Sequence, residues 1–185
     1  MNVDVANMVN ENITNAFNVF DGLEAKGYIS GIYIVTDADD YIGAYNTVTR
    51  QIKLKKEYVT QPGSIEKITK VTAKQHRRGY WSTDSPAHCI RHEIGHALEI
   101  MIRNEHPERI AEIREIREET IKKCGIIDYA TSAEDSRLVK KTGEYISYYG
   151  LANESELIAE SVAEYLNGNP RKVAMDVMSI LLRRD

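Results

Sequence analysis

His92-Glu93-Ile94-Gly95-His96 sets two imidazoles four residues apart, with a carboxylate beside the first. On a helix of 3.6 residues per turn the two rings fall about 40° apart around the axis and one turn apart along it, so both can reach one metal ion. Zinc takes nitrogen ligands at about 2.0–2.1 Å, and its catalytic sites use three protein ligands and leave one position for water. Glu93 would then stand beside that water as a base able to take its proton while a carbonyl is attacked. Two ligands and a base at this spacing form the pattern of a zinc peptidase site.

The flanking residues predict the helix that this geometry needs. Ser82-Thr83-Asp84-Ser85-Pro86 offers N-cap side chains and a proline suited to a first turn, so a helix should begin near Pro86. Ile90, Ile94, Ala97, Leu98, Met101 and Ile102 recur at helical spacing and carry it to about Arg103. Gly95 costs such a helix about 1 kcal/mol relative to alanine, which points to close approach by a neighbouring strand or by substrate.

A third ligand is required, and Asn153 to Leu166 supplies the candidates. Leu157, Ile158, Ser161, Val162, Tyr165 and Leu166 mark the buried side of a second helix. Glu156 and Glu160 share a face at i and i+4, as do Glu160 and Glu164, so one can bind metal while the next orients a histidine. Spacing alone leaves all three open.

Taken together, His92-Glu93-Ile94-Gly95-His96, Tyr148-Tyr149-Gly150, Asn153-Glu154 and Glu156-Leu157-Ile158-Ala159-Glu160 resemble the catalytic domain of anthrax lethal factor and its relatives. Those relatives include clostridial Pro-Pro endopeptidases and domains of phage minor head proteins, and Glu164-Tyr165-Leu166-Asn167-Gly168-Asn169-Pro170 is especially similar to the phage-associated members. The resemblance implies a gluzincin, a zinc metalloendopeptidase. It makes His92, His96 and Glu156 the Zn2+ ligands, Glu93 the general base and Glu160 the partner behind a histidine. It makes Tyr149 the phenol that hydrogen-bonds the developing oxyanion, with Tyr148 as its competitor. The match covers the C-terminal half of the chain, so substrate preference does not transfer with it. The rival expectation is a phage structural or interaction module that kept a metallopeptidase scaffold; a toxin-like effector is a third.

Composition fits an enzyme domain. With 42% apolar residues in 185, the chain can bury a sizeable core as a single domain spanning 1–185. A net charge of −4 argues against nucleic acid as an obligate partner, and Lys53-Leu54-Lys55-Lys56 and His76-Arg77-Arg78 read as solvated faces. The expected partners are a peptide or protein substrate and, by the resemblance, phage particle components. Cys89 and Cys124 lack CxxC companions and read as free, structural thiols. No stretch approaches the roughly 18 apolar residues of a membrane span, and Met1 to Met8 lacks the features of a secretory signal. A cytoplasmic or phage-associated product, or part of a longer protein, is expected.

The remaining pattern predicts an α+β fold of zincin type: a small mixed β-sheet packed on the HExxH helix, with a helical C-terminal half. A first helix should run from Val3 to about Lys26, closed by Gly27. Tyr28 to Thr36 reads as a buried strand, Tyr41 to Tyr45 as a second and Gln51 to Leu54 as a third, with a turn at 46–50. Ile42-Gly43-Ala44-Tyr45 is the candidate edge along which a substrate chain adds. Pro62-Gly63 precedes a short helix reaching Gln75, and Tyr80 and Trp81 read as core, with a cover over the cleft as the alternative. Pro107 to Cys124 forms a charged helix closed by Gly125. Ser132 should cap another through Lys141, with Tyr145, Tyr148 and Tyr149 mostly packing. Val173, Val177, Met178, Ile180 and Leu181 pattern the last helix.

Overall fold

The computed structural model describes residues 1–37 and 41–184. Its order is α1 (Val3–Val19), β1 (Gly31–Val35), β2 (Gly43–Asn46), β3 (Gln51–Lys55), α2 (Lys56–Val59), α3 (Ser64–Arg77), α4 (His88–Glu105), α5 (Glu108–Cys124), α6 (Tyr129–Ser132), α7 (Ser136–Thr142), a 3₁₀ turn at Tyr149–Leu151, α8 (Glu154–Leu166) and α9 (Lys172–Leu181). The class is α+β, with one small mixed sheet and a helical C-terminal half. Among the described residues, no helix is long and apolar enough to cross a membrane.

The sheet has the order β1-β3-β2. β1 pairs with β3 in parallel, Gly31 opposite Gln51, and β2 pairs with β3 antiparallel, Asn46 opposite Gln51. The β2–β3 turn falls at 46–50 as expected. Asn46 Oδ1 accepts from the Val48 and Thr49 amides, and Arg50 adopts φ +55° to close it. Central β3 buries Ile52 and Leu54 on one face. β1 is shorter than the expected Tyr28–Thr36 and is not buried: Tyr33 is 50% exposed and Ile34 39%. An apolar run specifies a strand but not how many of its sides are covered, and this one forms an edge.

α1 also ends early, at Val19 rather than Lys26. Asp21-Gly22 is turn chemistry, and Gly22 at φ +84° lets Phe20 and Leu23 both enter the core from a non-helical path. α4 starts at His88; Ser85 Oγ accepts from the Ala87 amide, while Ser82 and Thr83 are buried and engaged elsewhere. Ser132 does not cap α7. Its hydroxyl donates back to the Tyr129 carbonyl, and Asp128 and Asp135 cap α6 and α7 instead. α3, α5, α8 and α9 lie where the periodicity puts them, with Gly125 in the left-handed conformation after α5. Asn153 Oδ1 accepts from the Glu156 amide and so starts α8.

α4 is the central element, touching α1, β2, α5 and α8. Its glycine is explained by α8, not by a strand or substrate. A Cβ on Gly95 would lie 2.5 Å from Ala159 Cα and 3.1 Å from its carbonyl oxygen, so the two helices meet backbone to backbone. Gly95→Ala is therefore expected to lower the free energy of unfolding by about 1–3 kcal/mol in urea titrations, although alanine is the better helix former. Unchanged or increased stability would show that the helices separate easily.

Candidate metal centre

The α4–α8 contact brings His92, Glu93 and His96 of α4 together with Glu156 and Glu160 of α8. His92 and His96 lie one turn apart on α4, and Glu156 faces them from the first turn of α8. Glu156 Oε2 is 3.1 Å from His92 Nε2 and 3.7 Å from His96 Nε2, and the two Nε2 atoms are 3.1 Å apart. One donor atom from each residue lies within 4.8 Å of the others, so this group can hold a metal ion.

Hydrogen bonding fixes which ring nitrogens are free. His92 Nδ1 lies 3.0 Å from Glu160 Oε1, and a carboxylate only accepts, so Nδ1 carries the proton. His96 Nδ1 lies 3.1 Å from Ser155 Oγ, whose own proton goes to Glu99 Oε2 at 2.5 Å. His96 therefore donates from Nδ1 as well. Both Nε2 atoms then face each other and Glu156 Oε2, a buried atom 3.1 Å from His92 Nε2. Two imidazole nitrogens and a carboxylate oxygen converging on one point suit a cation, whether a proton or a metal ion, and the donor types fit zinc.

The electrostatics agree. Burial alone would lower the basicity of His92, but hydrogen bonds to Glu156 and Glu160 and the nearby Glu93 raise its pKa well above the ordinary value. Positive charge is favoured here. Burial would likewise raise the Glu160 carboxyl, yet His88 and His92 hold it well below the usual range. Glu99, despite burial, is brought down to about 2 by His96, Ser155 and Arg103.

Glu160, fully buried, also accepts the Ser82 amide at Oε2 (2.6 Å) and meets His88 Nε2 at Oε1 (3.2 Å). His88, His92 and Glu160 form a second group within metal-binding reach. In this group each side chain already has hydrogen-bond partners. Glu164 sits apart from both groups, paired to Arg171 through Nε (2.9 Å) and Nη2 (2.7 Å). The three glutamates that spacing could not separate thus have three different neighbours.

A cavity of about 480 Å³ opens beside this group, lined by His88, His92, Glu93 and Tyr149 together with Ile42 and Gly43 at the start of β2. Glu93 is buried, and its Cγ lies 3.4 Å from where a Gly43 Cβ would be. Tyr149 stacks on the His92 ring, 5.7 Å between centroids. Burial first, then the charge and hydrogen bonding of Glu156, pushes its phenol up, so it stays a proton donor. Tyr148 is turned away: its hydroxyl donates to the Tyr129 carbonyl (2.7 Å) and pairs with Ser132 Oγ (2.9 Å). Cys89 also lines the cavity, but burial, followed by Glu93 and Glu160, pushes its thiol up and keeps it unreactive. Both cysteines are buried and free.

Trp81 and Tyr80 belong to this wall rather than to the core. Trp81 stacks on His88 (4.8 Å) and Tyr80 on Tyr149 (5.6 Å), while the Tyr148 and Tyr149 amides donate to the Gly79 and Tyr80 carbonyls. The sequence reading missed His88, Glu99, Ser155 and Ser82. His88 and Glu99 stood at i−4 from His92 and i+3 from His96, a signal that was available; Ser155 and the Ser82 amide had none. Comparisons of the chain with protein-family models, with curated proteins and with solved structures return no match.

Arg171 braces the site from behind, since its guanidinium also donates to the carbonyls of Ser82 (2.9 Å) and Gly143. Arg171→Met leaves Glu164 buried without its counter-charge, held only by the amide of residue 171. Because Arg171 is a quarter exposed, we expect a loss near the lower end of the roughly 3–5 kcal/mol seen for broken buried pairs. A urea-unfolding difference below about 1 kcal/mol would mean that solvent replaces the pair.

Proposed function

We propose that the chain is a zinc-dependent endopeptidase of the gluzincin type. The observation that carries this reading is the convergence of two imidazole Nε2 atoms and a buried carboxylate oxygen, one of those imidazoles lining a cavity that also has a glutamate and a phenol in its wall. His92, His96 and Glu156 would hold the ion. Bound there, zinc would supply a Lewis acid that polarises the scissile carbonyl and acidifies water.

The chain's own groups do the rest. Glu93 takes the proton of the attacking water and later passes it to the leaving amine. Tyr149 donates its hydroxyl hydrogen to the oxyanion of the tetrahedral intermediate, a task suited to a phenol whose proton is held firmly. Glu160 and Glu99 keep both imidazoles in the tautomer that offers Nε2. The outer edge of β2 borders the cavity, so a substrate strand can add beside Gly43 with its carbonyl carried towards Glu93.

Elemental analysis of the purified protein should find about one zinc per chain, and Glu156→Ala should lose most of it. Digestion of a peptide library should be stopped by a chelator and restored by zinc. Glu93→Gln is expected to keep the metal and reduce kcat at least 10²-fold, and Tyr149→Phe to reduce it about 10²–10³-fold with the metal retained. Tyr148→Phe, by contrast, should cost stability and spare turnover. A native protein that takes up no zinc, or cleaves nothing in the library when loaded, favours the non-enzymatic phage-module alternative.

A further inference from the structure

His88 has no part in the reaction just described, yet it is 2% exposed in the wall of the same cavity and has hydrogen-bonding neighbours at both ring nitrogens. Nδ1 lies 3.2 Å from Thr83 Oγ1, and Nε2 lies 3.2 Å from Glu160 Oε1. Trp81 stacks on the ring at 4.8 Å and 19° and fixes its plane. Glu160 Oε1 only accepts, so His88 presents its proton at Nε2 and takes the Thr83 hydroxyl proton at Nδ1.

The hydrogen bonds then run in one direction. Thr83 donates to His88, and His88 donates to Glu160 Oε1, the same oxygen that accepts from His92 Nδ1. Ser82 N–H holds the other oxygen. With all three donors in place, a carboxylate at zero exposure is locked in position and ionised, and His92 keeps its Nε2 lone pair turned to the metal position. Without His88, a lone pair of Glu160 Oε1 loses its partner in a buried site, and the carboxylate is held by His92 and the Ser82 amide alone.

We propose that His88 is a positioning residue for metal binding, acting through Glu160 on His92, with Thr83 setting its tautomer. This rests on the metal-site reading above. The alternative that the same atoms permit is that His88 is itself a ligand, in the group with His92 and Glu160.

Zinc titration against a chromophoric chelator, together with the absorption spectrum of the cobalt(II) form, tests the inference in the native protein, His88→Phe, His88→Gln and Thr83→Val. Phenylalanine keeps the stacking on Trp81 and removes the donor; glutamine restores an N–H. The expected result is one metal per native chain, one metal bound about 10–100-fold more weakly by His88→Phe with an altered cobalt spectrum, and recovery of most of the affinity in His88→Gln. Thr83→Val, a near-isosteric change, should weaken binding in the same direction and covers the case in which His88→Phe fails to fold. Unchanged affinity in both His88→Phe and Thr83→Val overturns the positioning role while leaving the metal site standing. Two metals in the native chain and one in His88→Phe would make His88 a ligand and overturn it as well. No metal in the native chain overturns the underlying reading rather than this refinement alone.

Discussion

Gly95 and Ala159 touch backbone to backbone, and the arrangement of the candidate site follows from that contact. Helices with ordinary side chains between them lie about 8–10 Å apart, too far for short carboxylates on one to share space with imidazoles on the other. Removing the side chain at position 95 lets α8 sink onto α4. Glu156, three residues before Ala159, then arrives opposite both Nε2 atoms, and Glu160, one residue after it, arrives behind His92. A longer side chain at position 95 would move both carboxylates together, so this glycine sets the size of the metal position without touching it.

Around that contact the structure manages an unusual amount of buried charge. Glu93, Glu99, Glu160 and Glu164 are all nearly or wholly inaccessible, and a lone buried carboxylate costs several kcal/mol. Three of them have clear compensation: Glu164 from Arg171, Glu99 from Arg103, Ser155 and His96, and Glu160 from two imidazoles and an amide. These pairings also give the site its direction. Each imidazole is held through Nδ1 by an anion, directly or through Ser155, so both Nε2 atoms face the same point. Glu93, in contrast, lines the cavity.

The segment 79–82 ties the two halves of this arrangement together. Its carbonyls hold the Tyr148 and Tyr149 amides, the Ser82 amide holds Glu160, and Arg171 fixes the Ser82 carbonyl. Stacked rings run from Tyr129 through Tyr148, Tyr80 and Tyr149 to His92, so the phenol assigned to the oxyanion is held by packing on both faces. Positioning of this kind matters because a donor misplaced by about 1 Å loses much of its effect on a transition state.

The local pattern of residues was enough to place α4, α5, α8 and α9, to put His92 and His96 on one face and to nominate Glu156, Glu160 and Glu164, since helical periodicity and capping are properties of neighbours in the chain. It misjudged the end of α1, where Asp21-Gly22 overrides an apolar repeat, and the burial of β1, which depends on what lies beside it. It also assigned Gly95 to a strand or substrate and Trp81 to the core. Those features, like the separate fates of the three glutamates and the roles of His88, Ser155 and Ser82, were decided only when α8 and the 79–82 segment came to rest on α4. Periodicity fixes the direction in which a side chain points, whereas its partner is contributed by residues as far as 89 positions away along the chain, and only the packed chain brings them within hydrogen-bonding reach.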